Sequence, residues 1–162
     1  MIRKFGVEIK WGSILAVIVL IWYYVEKALG YHDDRALYQP VFNFLVMLPM
    51  FVIYVMALRE RREDTPGGQF PWLKAFVSSF IVTIVLALWQ FAVQYILHNV
   101  ISPNLLSNLK AARQTATHDA VVSDTLYTLE VAVREGIFGY ISMGVLVGAI
   151  AALVVRRSVK SK

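Results

Sequence analysis

Four long apolar stretches organise the chain, separated by two short polar segments and one long one. They cover about 11–29, 38–58, 75–97 and 136–155. An α-helix rises 1.5 Å per residue, so a stretch of roughly 20 residues spans about 30 Å, the hydrocarbon thickness of a bilayer. Backbone in lipid must satisfy its own hydrogen bonds, which leaves only helices or closed-barrel strands. Barrel strands alternate polar and apolar residues, and these stretches do not. The pattern predicts an all-α, polytopic membrane protein. Its four transmembrane helices form an antiparallel bundle, one membrane domain over 1–162.

The connections differ in kind. Residues 30–37 make a short link, as between antiparallel neighbours. "RERREDTPGGQFPW" (59–72) is a polar turn with Pro66, Gly67, Gly68 and Pro71 as breakers. The segment 98–135 is long and is expected to carry a helical loop. Ser102 and Pro103 read as an N-cap and a first helical position. "NLLSNLKAARQ" then reads as an amphipathic helix with Leu105, Leu106 and Leu109 on one side. "TATHD" interrupts it, and a second helical stretch from near Ala120 is expected to run into the fourth span.

Helical spacing then identifies inward faces. Gly12, Ala16, Val19, Tyr23, Glu26 and Gly30 follow one another at steps of four and three along the first span. Small residues such as Gly12 and Ala16 allow close helix approach. Ser79, Thr83, Ala87, Gln90, Gln94 and His98 make a second stripe, on the third span. Lipid-exposed glutamines would each cost several kcal/mol, so this face is expected to be buried. Gly144 and Gly148, with Ala152 four further on, form a small-residue face. Packing inside its own bundle is expected there in preference to dimerisation. The second span carries Asn43 and Pro49. Pro49 should kink the helix and free the Leu45 carbonyl.

Composition fits this picture. Hydrophobic residues make up 58% of the 162 and charged residues 17%, against about 45–50% and a quarter in ordinary soluble domains. With no cysteine, disulfides, thiol catalysis and thiolate metal sites are excluded. The formal charge is +5, but the basic residues flank apolar spans, which points to lipid headgroups rather than nucleic acid. Arg3, Lys4, Lys10, Arg59, Arg61, Arg62, Lys74, Arg156, Arg157, Lys160 and Lys162 fall on one side, and only Lys27, Arg35, Lys110, Arg113 and Arg134 on the other. The positive-inside rule then puts both termini in the cytoplasm. Trp11, Tyr23, Tyr24, Tyr38, Trp72 and Tyr95 fall near the expected interfaces. A cleaved signal peptide ending near Gly30 is the rival reading of the first span. The length of the apolar run and Glu26 and Lys27 beside the cut argue against it.

The same topology gathers His32, His98 and His118 on the outer side with Glu26, Asp33, Asp34, Asp119 and Asp124. Histidines and carboxylates are ligands for zinc and similar metals. His32, Asp33, His98 and His118 are the residues such a site would use, yet they form no known metal spacing, and no metal or cofactor is expected. Asp33 and Asp34 are expected to cap the second span. An acid within a membrane span is a functional candidate. Glu26 is expected to meet Gln94 or His98 across the bundle, with Lys27 snorkelling to the headgroups. The candidate polar cluster is thus Glu26, Asn43, Gln90, Gln94 and His98. No nucleophile elbow, P-loop or dinucleotide fingerprint is present, and an enzyme is not expected.

"KFGVEIKWG" (4–12), "EKALGYHDD" (26–34), "IYVMALRERRE" (53–63) and "QYILHNVISPN" (94–104) resemble a bacterial membrane-protein family catalogued as domain of unknown function number 4199. The resemblance covers nearly the whole chain in order. It departs at Ala75 and Ser79, where glycines would be expected. It implies four membrane helices and a bacterial cytoplasmic membrane location, and no activity. Two functions fit these readings. The first is a non-enzymatic bundle acting as partner or accessory subunit in the cell envelope, through a membrane-protein partner or a second copy. The second is a small carrier or sensor of an ion or small molecule at the outer side.

Overall fold

The computed structural model describes residues 5–117 and 124–157. Each apolar stretch lies inside a longer helix: α1 (Gly6–Ala28), α2 (Ala36–Glu63), α3 (Trp72–Ile101) and, last in the chain, α5 (Leu129–Val155). Between α3 and α5 lies a shorter helix, α4 (Leu105–Thr117). The four long helices have 23 to 30 residues, about 35–45 Å, so their ends pass beyond the hydrocarbon. Helix α3 is central, with its largest interfaces on α5 and α1, and α2 closes the bundle against the same two. Leu15, Val19, Met50, Tyr54, Leu86 and Val147 fill the core, while Val17, Ile21, Val52, Leu88, Leu146 and Leu153 face outward. That inversion suits a bundle whose solvent is lipid.

Small residues decide the tightest interface. A Cβ on Gly144 would lie 2.5 Å from Thr83 Cγ2 and 2.7 Å from the Tyr54 hydroxyl, and one on Gly148 would lie 2.7 Å from Ser79 Oγ. The Gly144–Gly148 face is therefore consumed inside the bundle, against α3. Ser79 takes no glycine's place, because the glycine needed for close approach is on the facing helix. Gly12 does the same for α1, where a Cβ would lie 2.6 Å from Val85 Cβ, and Ala16 is buried on the same stripe.

Several local expectations are corrected. Pro49 shows its effect one turn early, as a tightened 3-10 turn over Phe44–Val46, which is where its ring crowds the Leu45 carbonyl. Helix α4 starts at Leu105 rather than at Pro103. The end of α3 widens into a π-turn over Leu97–Ile101, and the Ser102 amide is used to close it on the Leu97 carbonyl at 2.7 Å. Helix α5 begins at Leu129, where the Thr128 hydroxyl accepts from the Val131 amide at 3.3 Å. The Ala120 start and His118 lie outside the described residues.

At the end of the bundle away from α4, the polar groups interlock. Lys10 Nζ donates to both Glu60 oxygens at 2.5 and 2.6 Å, and Trp11 Nε1 donates to Glu60 at 2.8 Å. Phe70 and Arg157 form an isolated antiparallel bridge, and Arg62 donates to the Val155 carbonyl at 3.1 Å.

Candidate functional site

The α4 end holds most of the buried polar side chains, and the turn after α1 builds its first part. Gly30 has φ +80, a left-handed conformation that glycine adopts without strain. Its amide bonds the Lys27 carbonyl at 2.9 Å, and the Tyr31 amide bonds the Glu26 carbonyl at 2.9 Å. The chain thus doubles back and lays His32 against the last turn of α1. His32 Nε2 lies 3.3 Å from Glu26 Oε2, both side chains at 0% exposure. Gln39, in the first turns of α2, donates to the same oxygen at 2.8 Å. Glu26 Oε1 and His32 Nδ1 are buried with no hydrogen-bond partner among the described residues.

Glu26 therefore meets His32 and Gln39, not Gln94 or His98. The reason lies in the turn: His32, six residues on, reaches the carboxylate before the side chains of α3 do. Gln94 Nε2 instead donates to the Tyr23 hydroxyl at 3.3 Å and lies 3.5 Å from Gln90 Oε1. The Tyr140 hydroxyl donates to that of Tyr23 at 3.2 Å, and Asn43 sits within reach of both tyrosines. Tyr23, placed by its sequence position near an interface, is instead a buried link between α1, α3 and α5. Gly136 makes room for Gln94, since a Cβ there would lie 2.6 Å from Gln94 Nε2.

Helix α4 closes this end. Leu105, Leu106 and Leu109 turn inward. Asn108 Nδ2 donates to the His32 carbonyl at 2.8 Å and to Asp33 Oδ1 at 3.1 Å. Asp33 thus holds α4 rather than capping α2, whose first turn has no side-chain cap. Lys27 donates to the Ile101 carbonyl instead of reaching free into the headgroups, because the π-turn leaves that carbonyl at the helix end.

Under α4 lie two adjoining cavities. One, of about 160 Å³, is lined by Gln39, Gln94, His98 and the three leucines. The other, of about 800 Å³, is lined by Gln39, Asn43, Arg113, Tyr127, Glu135 and Met143. Gln39, Leu109, Leu126, Tyr127 and Glu135 wall both. Asn43 Oδ1 and His98 Nδ1 are buried without a hydrogen-bond partner among the described residues. The larger space is open on one side, with Leu37, Phe44, Leu126 and Glu135 exposed at its rim, and the two unsatisfied atoms are placed to receive a ligand's donors.

The structure therefore gathers all five residues of the expected cluster at one end, in two connected parts. Asn43, Gln94 and His98 reach the cavities, while Gln90 and Glu26 stand behind them. No three histidine or acidic side chains converge on a metal position among the described residues. His32 lies near His98, Asp33 turns to Asn108, and His118 lies outside the described residues. Sequence reasoning missed Gln39, Tyr140, Glu135 and Gly136. It also missed a second buried acid at the other end. Glu8, 1% exposed, accepts from Ser78 Oγ at 2.8 Å and pairs with Arg61 Nε at 3.1 Å. A signal was available, since Glu8 lies four residues before Gly12 on the same stripe.

Fold and site together define the class: a multi-pass membrane protein, a four-helix bundle with a polar cavity at one end. Residues 10–157 match the family described as Protein of unknown function (DUF4199), and the chain belongs to that family. No curated protein and no solved structure matches it.

Proposed function

We propose that this protein is a small carrier or sensor that binds a small molecule or ion in the cavity at the α4 end, and that this end faces outward from a bacterial cytoplasmic membrane. The observation that carries the reading is the cavity of about 800 Å³ beneath α4, with Asn43 Oδ1 on its wall, and His98 Nδ1 on that of the smaller adjoining cavity, unsatisfied among the described residues. A volume of that size holds a small ligand. The excess of Lys and Arg at the opposite end supports the outward orientation.

The test is the thermal unfolding of purified protein against metal salts, pH values and metabolites. Mass action raises the midpoint only for a compound that binds the native state. The reading expects at least one compound to act, and expects Met143→Trp, which intrudes on the cavity, to weaken its effect. A shift of undiminished size in M143W sinks it.

A non-enzymatic partner or accessory role is the second reading. With Gly144 and Gly148 occupied inside the bundle, its support is α4, an amphipathic helix whose Ala111, Arg113 and Thr115 stand exposed. A pull-down in mild detergent, repeated with A111W/T115W, tests it. A co-purifying membrane protein lost from the variant is the expected result, and one retained refutes α4 as the surface.

A further inference from the structure

We infer that the cavity under α4 takes an organic cation: an ammonium or guanidinium head among Gln39, Asn43 and Glu135, and an apolar body against Leu109 and Met143. The inference rests on the reading of that cavity as a binding site and adds the chemical class of its ligand.

The first argument is the kind of atom left unsatisfied. On the cavity walls these are Asn43 Oδ1 and His98 Nδ1. The oxygen accepts, and the nitrogen accepts in the tautomer protonated at Nε2. The buried unsatisfied donors, Gln90 Nε2 and Trp22 Nε1, lie on neither wall. A ligand that satisfies Asn43 Oδ1 must therefore bring an N–H or O–H group.

The second argument is charge. Glu135 lines both cavities. Gln39, also on both walls, donates its amide nitrogen to Glu26 at 2.8 Å, which leaves its amide oxygen to offer a ligand. Behind it stands Glu26 itself, wholly buried, with Oε1 unpartnered among the described residues. Among the described residues its paired base is His32, a cation only if protonated. The charged and titratable groups facing the cavity are Glu135 and Tyr127 from α5 and the segment before it, Arg113 from α4 and His98 from α3. Arg113 has an interaction of its own. Glu135 and the engaged Arg113 both stand at the exposed rim, and the wholly buried Glu26 adds a second carboxyl from behind Gln39. Apolar side chains line the rest of the space, which excludes a bare hydrated metal as the natural occupant.

The chain has no cysteine, so M143C puts one thiol on the wall of the full-length protein. Methanethiosulfonates carrying an ethylammonium, an ethylsulfonate or a neutral methyl group are reacted with it in detergent, with rates divided by those for 2-mercaptoethanol. The neutral reagent is expected to label M143C. The cation-to-anion rate ratio is expected to be at least tenfold above that of free thiol, and to fall severalfold in E135Q and E26Q backgrounds. 2-Phenylethylammonium should protect the thiol and phenylacetate should not. L126C serves as a second position if M143C does not fold. Failure of the neutral reagent at both positions, with A111C on the outer face of α4 reacting, removes the cavity and with it the proposed function. Labelling with a ratio no higher than that of free thiol, or protection by phenylacetate equal to that by the amine or absent for both, overturns the cation and leaves the cavity.

Discussion

Gly144→Ala tests whether the small-residue face belongs to the bundle or to a dimer. The added Cβ would lie 2.5 Å from Thr83 Cγ2 and 2.7 Å from both Thr83 Oγ1 and the Tyr54 hydroxyl. It strikes a hydrogen bond as well as a packing contact, since the Tyr54 hydroxyl and Thr83 Oγ1 are 2.7 Å apart. Overpacking costs about 1–3 kcal/mol, and a strained hydrogen bond adds about 1 kcal/mol. Alanine's better helix propensity returns about 1 kcal/mol. The net expectation is a loss of about 1–3 kcal/mol, or roughly 4–8 °C in thermal midpoint near the middle of that range. Thr83→Ala strands the buried Tyr54 hydroxyl and is itself destabilising by about 1–3 kcal/mol. It also removes both Thr83 atoms that the new methyl meets. Gly144→Ala should therefore cost less in the T83A background, where only the Tyr54 hydroxyl still meets the new methyl, giving an interaction energy of about 1–2 kcal/mol in the double-mutant cycle. Thermal unfolding of the four proteins, with light scattering for mass, reads this out. An equal penalty in both backgrounds, or a dimer that dissociates in G144A, would refute the reasoning.

Three further outcomes follow from the polar groups. His32→Leu removes a partner from a fully buried carboxylate and should destabilise by about 3–5 kcal/mol, while E26L/H32L should be less destabilised than H32L, and a double variant worse than the single contradicts the pairing. At the other end, Glu8→Gln keeps the Ser78 hydrogen bond and should cost less than Arg61→Met, which leaves the buried Glu8 charge with Ser78 alone. The reverse order in thermal midpoints would mean that Arg61 does not hold Glu8. Asn108→Ala should speed amide exchange in α4, by about 1 kcal/mol of lost protection, with the cores of α1 and α3 unchanged; unchanged α4 exchange refutes Asn108 as the clamp.

The spans were legible because lipid imposes length and apolarity on every membrane helix. The inward faces were legible for a similar reason: Gln90 and Gln94 cannot face hydrocarbon, and Gly12 and Gly148 are useful only where helices touch. The partners of Glu26 were not legible. They depend on the doubling back at Gly30, which converts His32 from a loop residue into a buried ligand of the carboxylate. The sequence carries Gly30 and His32 plainly, but not the fact that two residues past a left-handed glycine the chain points inward. Gly136 was obscured by its place at the expected edge of a span, where no facing residue was assigned to it, whereas two turns inside the helix that begins at Leu129 it meets Gln94.

The arrangement of the polar groups bears on carrier against sensor. Glu8 and Glu26 stand 18 residues apart on one stripe of α1, about 27 Å along the axis. Among the described residues each is bonded by groups at its own end: Arg61 and Ser78 for one, His32 and Gln39 for the other. Between them the α3 stripe passes from Thr83 to Gln90 through Leu86 and Ala87. At that depth Leu15, Met50 and Leu86 are fully buried against one another in the core. A ligand entering beneath α4 therefore meets a closed apolar layer halfway through the bundle. Passage would require α1 or α2 to part from α3, and alternating access ordinarily uses paired repeats that rock about a central site, whereas this cavity lies at one end. Under the proposed function, occupancy of the cavity would act on what surrounds it, namely α4 and the turn that Asn108 holds. That favours sensing over transport, with the position of α4 as the quantity the ligand would change.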